Sequence, residues 1–135
     1  MNGQELRALL EQAVDAAVAY RGGVSDRPHR PELDYAAIRA RFDGPAPERG
    51  APPKQVIAEL IANTGGGLAA MIGPRFFGWV IGGTEPAGVA ADWLTSAWGQ
   101  NTGNALATPS ASAVEEVAGR WWLELMDLPR ESSVG

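Results

Sequence analysis

Apolar residues recur at Leu6, Leu9, Leu10, Ala13, Val14, Ala17 and Val18, three and four positions apart, with polar residues between them. That period predicts an amphipathic helix over residues 4–20. Arg21-Gly22-Gly23 then stops it, because glycine supplies the backbone freedom of a helix C-terminus. The apolar stripe suits either packing in a core or docking on a partner subunit.

From Gly22 to Pro53 the sequence shifts to Pro, Gly, Arg and Asp, with one apolar cluster at Leu33, Tyr35, Ile38 and Phe42. This predicts an extended linker holding at most a short helical or strand segment. Pro52-Pro53 opens a second helical face at Val56, Ile57, Leu60 and Ile61, with proline in the first turn, where a missing N–H is tolerated. Asn63-Thr64-Gly65-Gly66-Gly67 ends or kinks that helix. A glycine run can cradle phosphate, but no Gly-Lys-Ser/Thr follows it, so a nucleotide loop is not expected.

The aromatic stretch Pro74–Val80, with Phe76, Phe77 and Trp79, predicts a short strand or extended segment. It would serve a core or a pocket equally well, and Gly78, Gly82 and Gly83 permit close approach or positive φ there. A helix over about residues 87–97 follows, carrying Val89, Trp93, Leu94 and Trp98. Residues 100–108 form a polar loop, and Thr108-Pro109 provides an N-cap and first-turn proline for a last helix. Its apolar positions are Ala113, Val114, Val117, Ala118, Trp121, Trp122, Leu125 and Met126, with Glu115, Glu116, Arg120, Glu124 and Asp127 facing away.

Glu115-Glu116 are adjacent and point about 100° apart on a helix, too far to converge on one substrate atom. A solvated acid pair near the positive end of the helix dipole is the expectation. Trp121-Trp122 fits a core or an interface better than a cofactor box.

Composition narrows the function classes. The 135 residues carry a net charge of −5 and no clustered basic face, which argues against nucleic-acid or anionic-membrane binding. There is no cysteine, so neither a disulfide framework nor a thiolate metal site is expected, in keeping with a cytoplasmic location. His29 has no second histidine or cysteine to complete a metal site. No basic n-region and apolar run marks a signal peptide, and no 18 consecutive residues are apolar. Alanine dominates the apolar residues and contributes little burial per residue, so stability as an isolated monomer is doubtful.

Three blocks occur in a specific order and spacing: Pro-Arg-Phe-Phe-Gly-Trp from Pro74, the run from Pro86 through Ala-Asp-Trp-Leu94, and Thr108-Pro109 through Ala-Val-Glu-Glu-Val117. Together they resemble the amino-terminal region of the group II pyridoxal-phosphate-dependent amino-acid decarboxylases, the aromatic amino-acid decarboxylase family. The resemblance covers about Pro52 to Pro129. It departs at Gly73, where many members carry histidine, and at Thr108-Pro109-Ser110, where they carry Ser-Pro-Ala.

The pattern predicts a mainly α structure of about four or five helices, and the resemblance implies the amino-terminal arm of a fold-type I, aspartate-aminotransferase-like enzyme whose large α/β domain lies outside this chain. Residues 1–50 would form the amino-terminal helix and Pro/Gly-rich linker, and residues 51–135 the helical decarboxylase-like segment. Exposed apolar faces are expected on Leu6–Val18 and Val114–Met126. Carried onto matching positions, Phe77, Trp79, Ile81 and Gly82 are candidate substrate-pocket residues on one side, and Gln100, Asn101, Thr102 and Asn104 on the other.

The implied partners are a second copy or a complementing carboxy-terminal polypeptide, and the implied substrate is an amino acid. Pyridoxal 5'-phosphate is the implied cofactor. Its chemistry needs a Schiff-base lysine, an acid on the ring nitrogen and a stacking ring. The sole lysine, Lys54, follows Pro53 rather than histidine, so it is expected on a helix surface. The cofactor residues are expected beyond Glu131-Ser132-Ser133-Val134-Gly135, and this chain alone is expected to be inactive. The alternative is a non-catalytic helical interaction module derived from the same arm.

Overall fold

In a computed structural model that describes residues 1–101 and 103–134, five helices account for the regular structure. They are α1 (Gly3–Gly23), α2 (Tyr35–Phe42), α3 (Pro53–Thr64), α4 (Pro86–Trp98) and α5 (Pro109–Leu125). No strand occurs among the described residues, which agrees with a mainly α arm. The chain divides into two compact units, Met1–Gly83 and Thr84–Gly135.

In the first unit, α1 is fixed at its start by a capping box. Asn2 Oδ1 accepts from the Gln4 and Glu5 amides at 3.0 and 2.9 Å, and Glu5 Oε2 accepts from the Asn2 amide at 2.7 Å. Two otherwise orphaned helix donors are thereby satisfied. α1 packs on α3, and Gln12 Nε2 donates to the Lys54 carbonyl at 3.3 Å. The cluster at Leu33–Phe42 becomes α2, capped by Asp34 through the Ala37 amide at 2.8 Å.

The glycine run lets α2 lie against the end of α3. Arg41 Nη1 donates to the Gly65 carbonyl at 2.7 Å, and the Leu33 amide donates to the Gly66 carbonyl at 2.9 Å. Gly66 takes φ +84°, which glycine adopts at no steric cost. The run is therefore a packing site for Leu33 and Ile38.

In the second unit, α4 ends at Gly99, whose φ of 63° gives a left-handed C-cap. α5 has one buried residue, Leu123. The chain reverses at Asp127, with φ 52°, and the Leu128 amide donates to the Leu123 carbonyl at 2.9 Å. Val134 then lies over Gly119, with its Cβ 3.5 Å from where a side chain there would begin. The return covers the side of α5 that carries Leu123, which the apolar periodicity did not single out, while Trp121 and Trp122 on the expected apolar face are 64% and 57% exposed.

Very little is buried. Ala70 and Leu123, at 4% and 6% exposure, are the buried hydrophobic residues described. The accessible surface is 10973 Å² for 14.2 kDa. Two entirely separate compact units of these lengths would expose only roughly 8,000 Å². The apolar faces expected at Leu6–Val18 and Val114–Met126 are open in part: Leu6, Leu10, Val14 and Val18 are exposed on α1 while Leu9, Ala13 and Ala17 are half-buried, and Val114, Leu125 and Met126 are exposed on α5.

Candidate functional site

The first candidate segment lies in the amino-terminal unit and is built from turns, not from the expected strand. Its aromatic and glycine-rich residues find no neighbouring strand among the described residues with which to pair. Successive turns instead join the Met71 amide to the Ala69 carbonyl at 2.8 Å, Gly73 to Ala70 at 2.9 Å, and Phe76 to Gly73 at 3.1 Å. Phe76 is half-buried, whereas Phe77 and Trp79 are 92% and 84% exposed. Ile81 is exposed too, and nothing approaches the open side of Gly82 within 4 Å.

Positive φ falls on side-chain-bearing residues here, Trp79 at 63° and Val80 at 52°, and not on Gly78, Gly82 or Gly83. A β-branched residue in that region is a steric outlier, and such conformations cost on the order of 1–3 kcal/mol each. Of the four candidates Trp79 lies in this strained turn, and Phe77, Ile81 and Gly82 flank it, all exposed.

The second segment is the loop after α4. Gln100 is half-buried and donates from Nε2 to the Trp98 carbonyl at 3.1 Å. Asn101 Oδ1 accepts from the Gly103 amide at 3.0 Å, and Asn104 Oδ1 from the Ala107 amide at 2.8 Å. Both asparagines thereby spend their acceptors on the backbone, the usual device by which such residues shape a turn. Their Nδ2 groups remain as donors outside those bonds, suited to a carboxylate or carbonyl. Thr102 lies outside the described residues.

Thr108 corrects a sequence expectation. It occupies the N-cap position of α5 but makes no side-chain cap. Its hydroxyl donates instead to the Asn104 carbonyl at 3.1 Å, beside its own amide at 3.0 Å. Its ψ of 64° takes it away from the extended geometry of a capping residue, so Thr108 fastens the loop and leaves the helix start to Pro109.

A concavity of about 480 Å³ beside α5 is lined by Ser112, Gly119, Arg120, Trp122, Leu123 and Val134 among others, and by none of the candidate residues. No group of three or more His, Cys, Asp or Glu that could hold a metal occurs among the described residues. His29 is exposed.

Lys54 is exposed in the first turn of α3, and its carbonyl accepts from Gln12. An amine that bonds to a cofactor aldehyde needs an enclosing, desolvating site. Among the described residues nothing encloses Lys54, so Lys54 does not fit the part of that amine.

Over 129 residues, 96% of its length, the chain is 25% identical to the aromatic-L-amino-acid decarboxylase of Bacillus atrophaeus, covering 27% of that protein. It is 25% identical over 129 residues to tryptophan decarboxylase 1 of Oryza sativa subsp. japonica, covering 25% of it. Against the aromatic-L-amino-acid decarboxylase of Rattus norvegicus the identity is 24% over 135 residues, 28% of that protein. The chain spans about a quarter of the length of the curated relatives it matches, and the matching part is their amino-terminal region. No family model and no solved structure matches it.

Proposed function

We propose that this chain acts as the amino-terminal part of a pyridoxal-phosphate-dependent amino-acid decarboxylase, a carboxy-lyase. It contributes dimer contacts and a wall of the substrate pocket, while the cofactor site is supplied by sequence outside these 135 residues. The observation that carries this reading is the match of nearly the whole chain to one end of several decarboxylases. The extent of uncovered apolar surface supports it physically, since such faces mark sites of association.

In this role α1 and α5 present apolar faces to a second subunit or to a complementing polypeptide. Phe77, Trp79, Ile81 and Gly82 offer an apolar wall, and Gln100, Asn101, Thr102 and Asn104 a polar one. A cytoplasmic location suits a cysteine-free chain, and no described helix is long and apolar enough to cross a membrane. The chain alone lacks a fitting lysine site and is inactive in this reading.

The exposed position of Lys54 favours one second reading, a non-catalytic helical module that keeps the arm as a partner-binding surface. Co-expression with the remaining sequence of the B. atrophaeus relative separates the two. A stoichiometric complex that releases carbon dioxide from an aromatic amino acid supports the decarboxylase part. A stable complex without turnover favours the binding module, and no complex sinks the primary reading.

A further inference from the structure

We propose that Arg75 is a positioning residue that ties the aromatic segment to the end of α1, so that docking of α1 sets where Phe77 and Trp79 stand. This rests on the reading of α1 as a docking arm and of the aromatic turn as a pocket wall.

Arg75 Nη2 donates to the Ser25 carbonyl at 2.7 Å and to the Arg27 carbonyl at 2.9 Å, partners 50 and 48 positions away in sequence. Charged donors make the stronger class of hydrogen bond, and here one guanidinium joins two successive parts of the loop that leaves α1. The Arg27 guanidinium stacks over the Tyr20 ring, 4.9 Å from its centre. The Tyr20 hydroxyl in turn donates to the Ala69 carbonyl at 2.7 Å. Both ends of residues 69–75 are therefore fastened to residues 20–27.

Between those ends the backbone has little freedom. A side chain at Gly73 would begin 3.1 Å from the Ala70 carbonyl oxygen and 3.3 Å from that of Val24, so the segment passes hard against the end of α1. Phe77 follows Arg75 by two residues, and no helix or strand holds it. The clamp thus determines where the exposed aromatic side chains emerge. A displacement of the last turn of α1 reaches them through one guanidinium and one phenol.

The test is amide hydrogen exchange on the full chain, alone and with the complementing decarboxylase polypeptide, for the wild type, Arg75→Ala, Arg75→Lys and Tyr20→Phe. In the chain alone, Arg75→Ala speeds exchange at residues 71–77 about tenfold, the effect of losing one to two hydrogen bonds, and leaves α1 and α3 unchanged. Arg75→Lys is intermediate. Tyr20→Phe, which removes one hydroxyl, produces a smaller change in the same segment and serves if Arg75→Ala fails to fold.

In the active complex, Arg75→Ala raises KM for the amino acid roughly 3–10-fold while kcat moves less than twofold. Unaltered exchange at 71–77, or equal acceleration throughout residues 1–83, overturns the clamp. So does an unchanged KM. If the wild-type complex releases no carbon dioxide, the decarboxylase reading fails, and exchange in the chain alone still decides the clamp.

Discussion

The Ile38 side chain fills the space that a side chain on Gly67 would need: a Cβ there would stand 2.7 Å from both Cγ1 and Cδ1 of Ile38. Glycine at 67 is thus required by the approach of α2 to the end of α3. Gly67→Ala is expected to destabilise the chain by about 1–3 kcal/mol, the usual result of overpacking. Adding Ile38→Val should recover part of the loss. Urea unfolding of the single and double variants checks both, and a Gly67→Ala protein as stable as the wild type contradicts the packing.

Val80 is fully exposed at φ 52°, so its side chain gains no burial there to offset the strain. Val80→Asn is expected to stabilise the first unit by about 0.5–1 kcal/mol, because asparagine tolerates the left-handed region and valine does not. Thermal unfolding measures this. A lower melting temperature would contradict strain at Val80.

Phe77 and Trp79 are exposed on a turn segment close to the junction of the two compact units at Gly83 and Thr84. Exposed connections are cut before helices. Limited chymotrypsin digestion is therefore expected to cleave first after Phe77 or Trp79, as read by mass spectrometry. First cleavage inside α1 or α5 would contradict this.

Leu10 is exposed on α1, whereas Leu9, one position earlier, is half-buried. Leu10→Glu should change the stability of the isolated chain by no more than about 0.5 kcal/mol yet abolish association with a complementing decarboxylase polypeptide. Leu9→Glu should unfold the α1 and α3 pairing. Circular dichroism and co-purification together distinguish a docking face from a core face, and association unchanged by Leu10→Glu would remove α1 from the interface.

Much of the helical architecture was legible because each helix carries its own local signal. The 3.6-residue period marked α1 and α3, and Pro53, Pro86 and Pro109 marked the starts of α3, α4 and α5. The aromatic segment forms turns and not the expected strand because β propensity expresses packing against neighbouring strands, and none occurs among the described residues.

The covered side of α5 depended on a chain reversal at Asp127, which periodicity cannot show. Thr108 was misassigned as a cap because its hydroxyl found the Asn104 carbonyl first. The Arg75 clamp joins residues some 50 positions apart, beyond the reach of any local pattern. The pocket candidates at 77–82 and 100–104 came from the family resemblance and not from any local pattern. The strained turn and the asparagine-shaped loop are what structure adds.

In the proposed role this chain completes a carboxy-lyase whose cofactor site lies in other sequence. The most direct measurement is carbon dioxide release from carboxyl-labelled aromatic amino acid, with pyridoxal phosphate added, by the chain alone, by the complementing polypeptide alone, and by the two co-purified. The account predicts release only from the co-purified pair, weakened at least tenfold by Trp79→Ala if loss of a large aromatic contact has its usual weight. Equal release by the complementing polypeptide without this chain, or none from a stoichiometric complex, would contradict it.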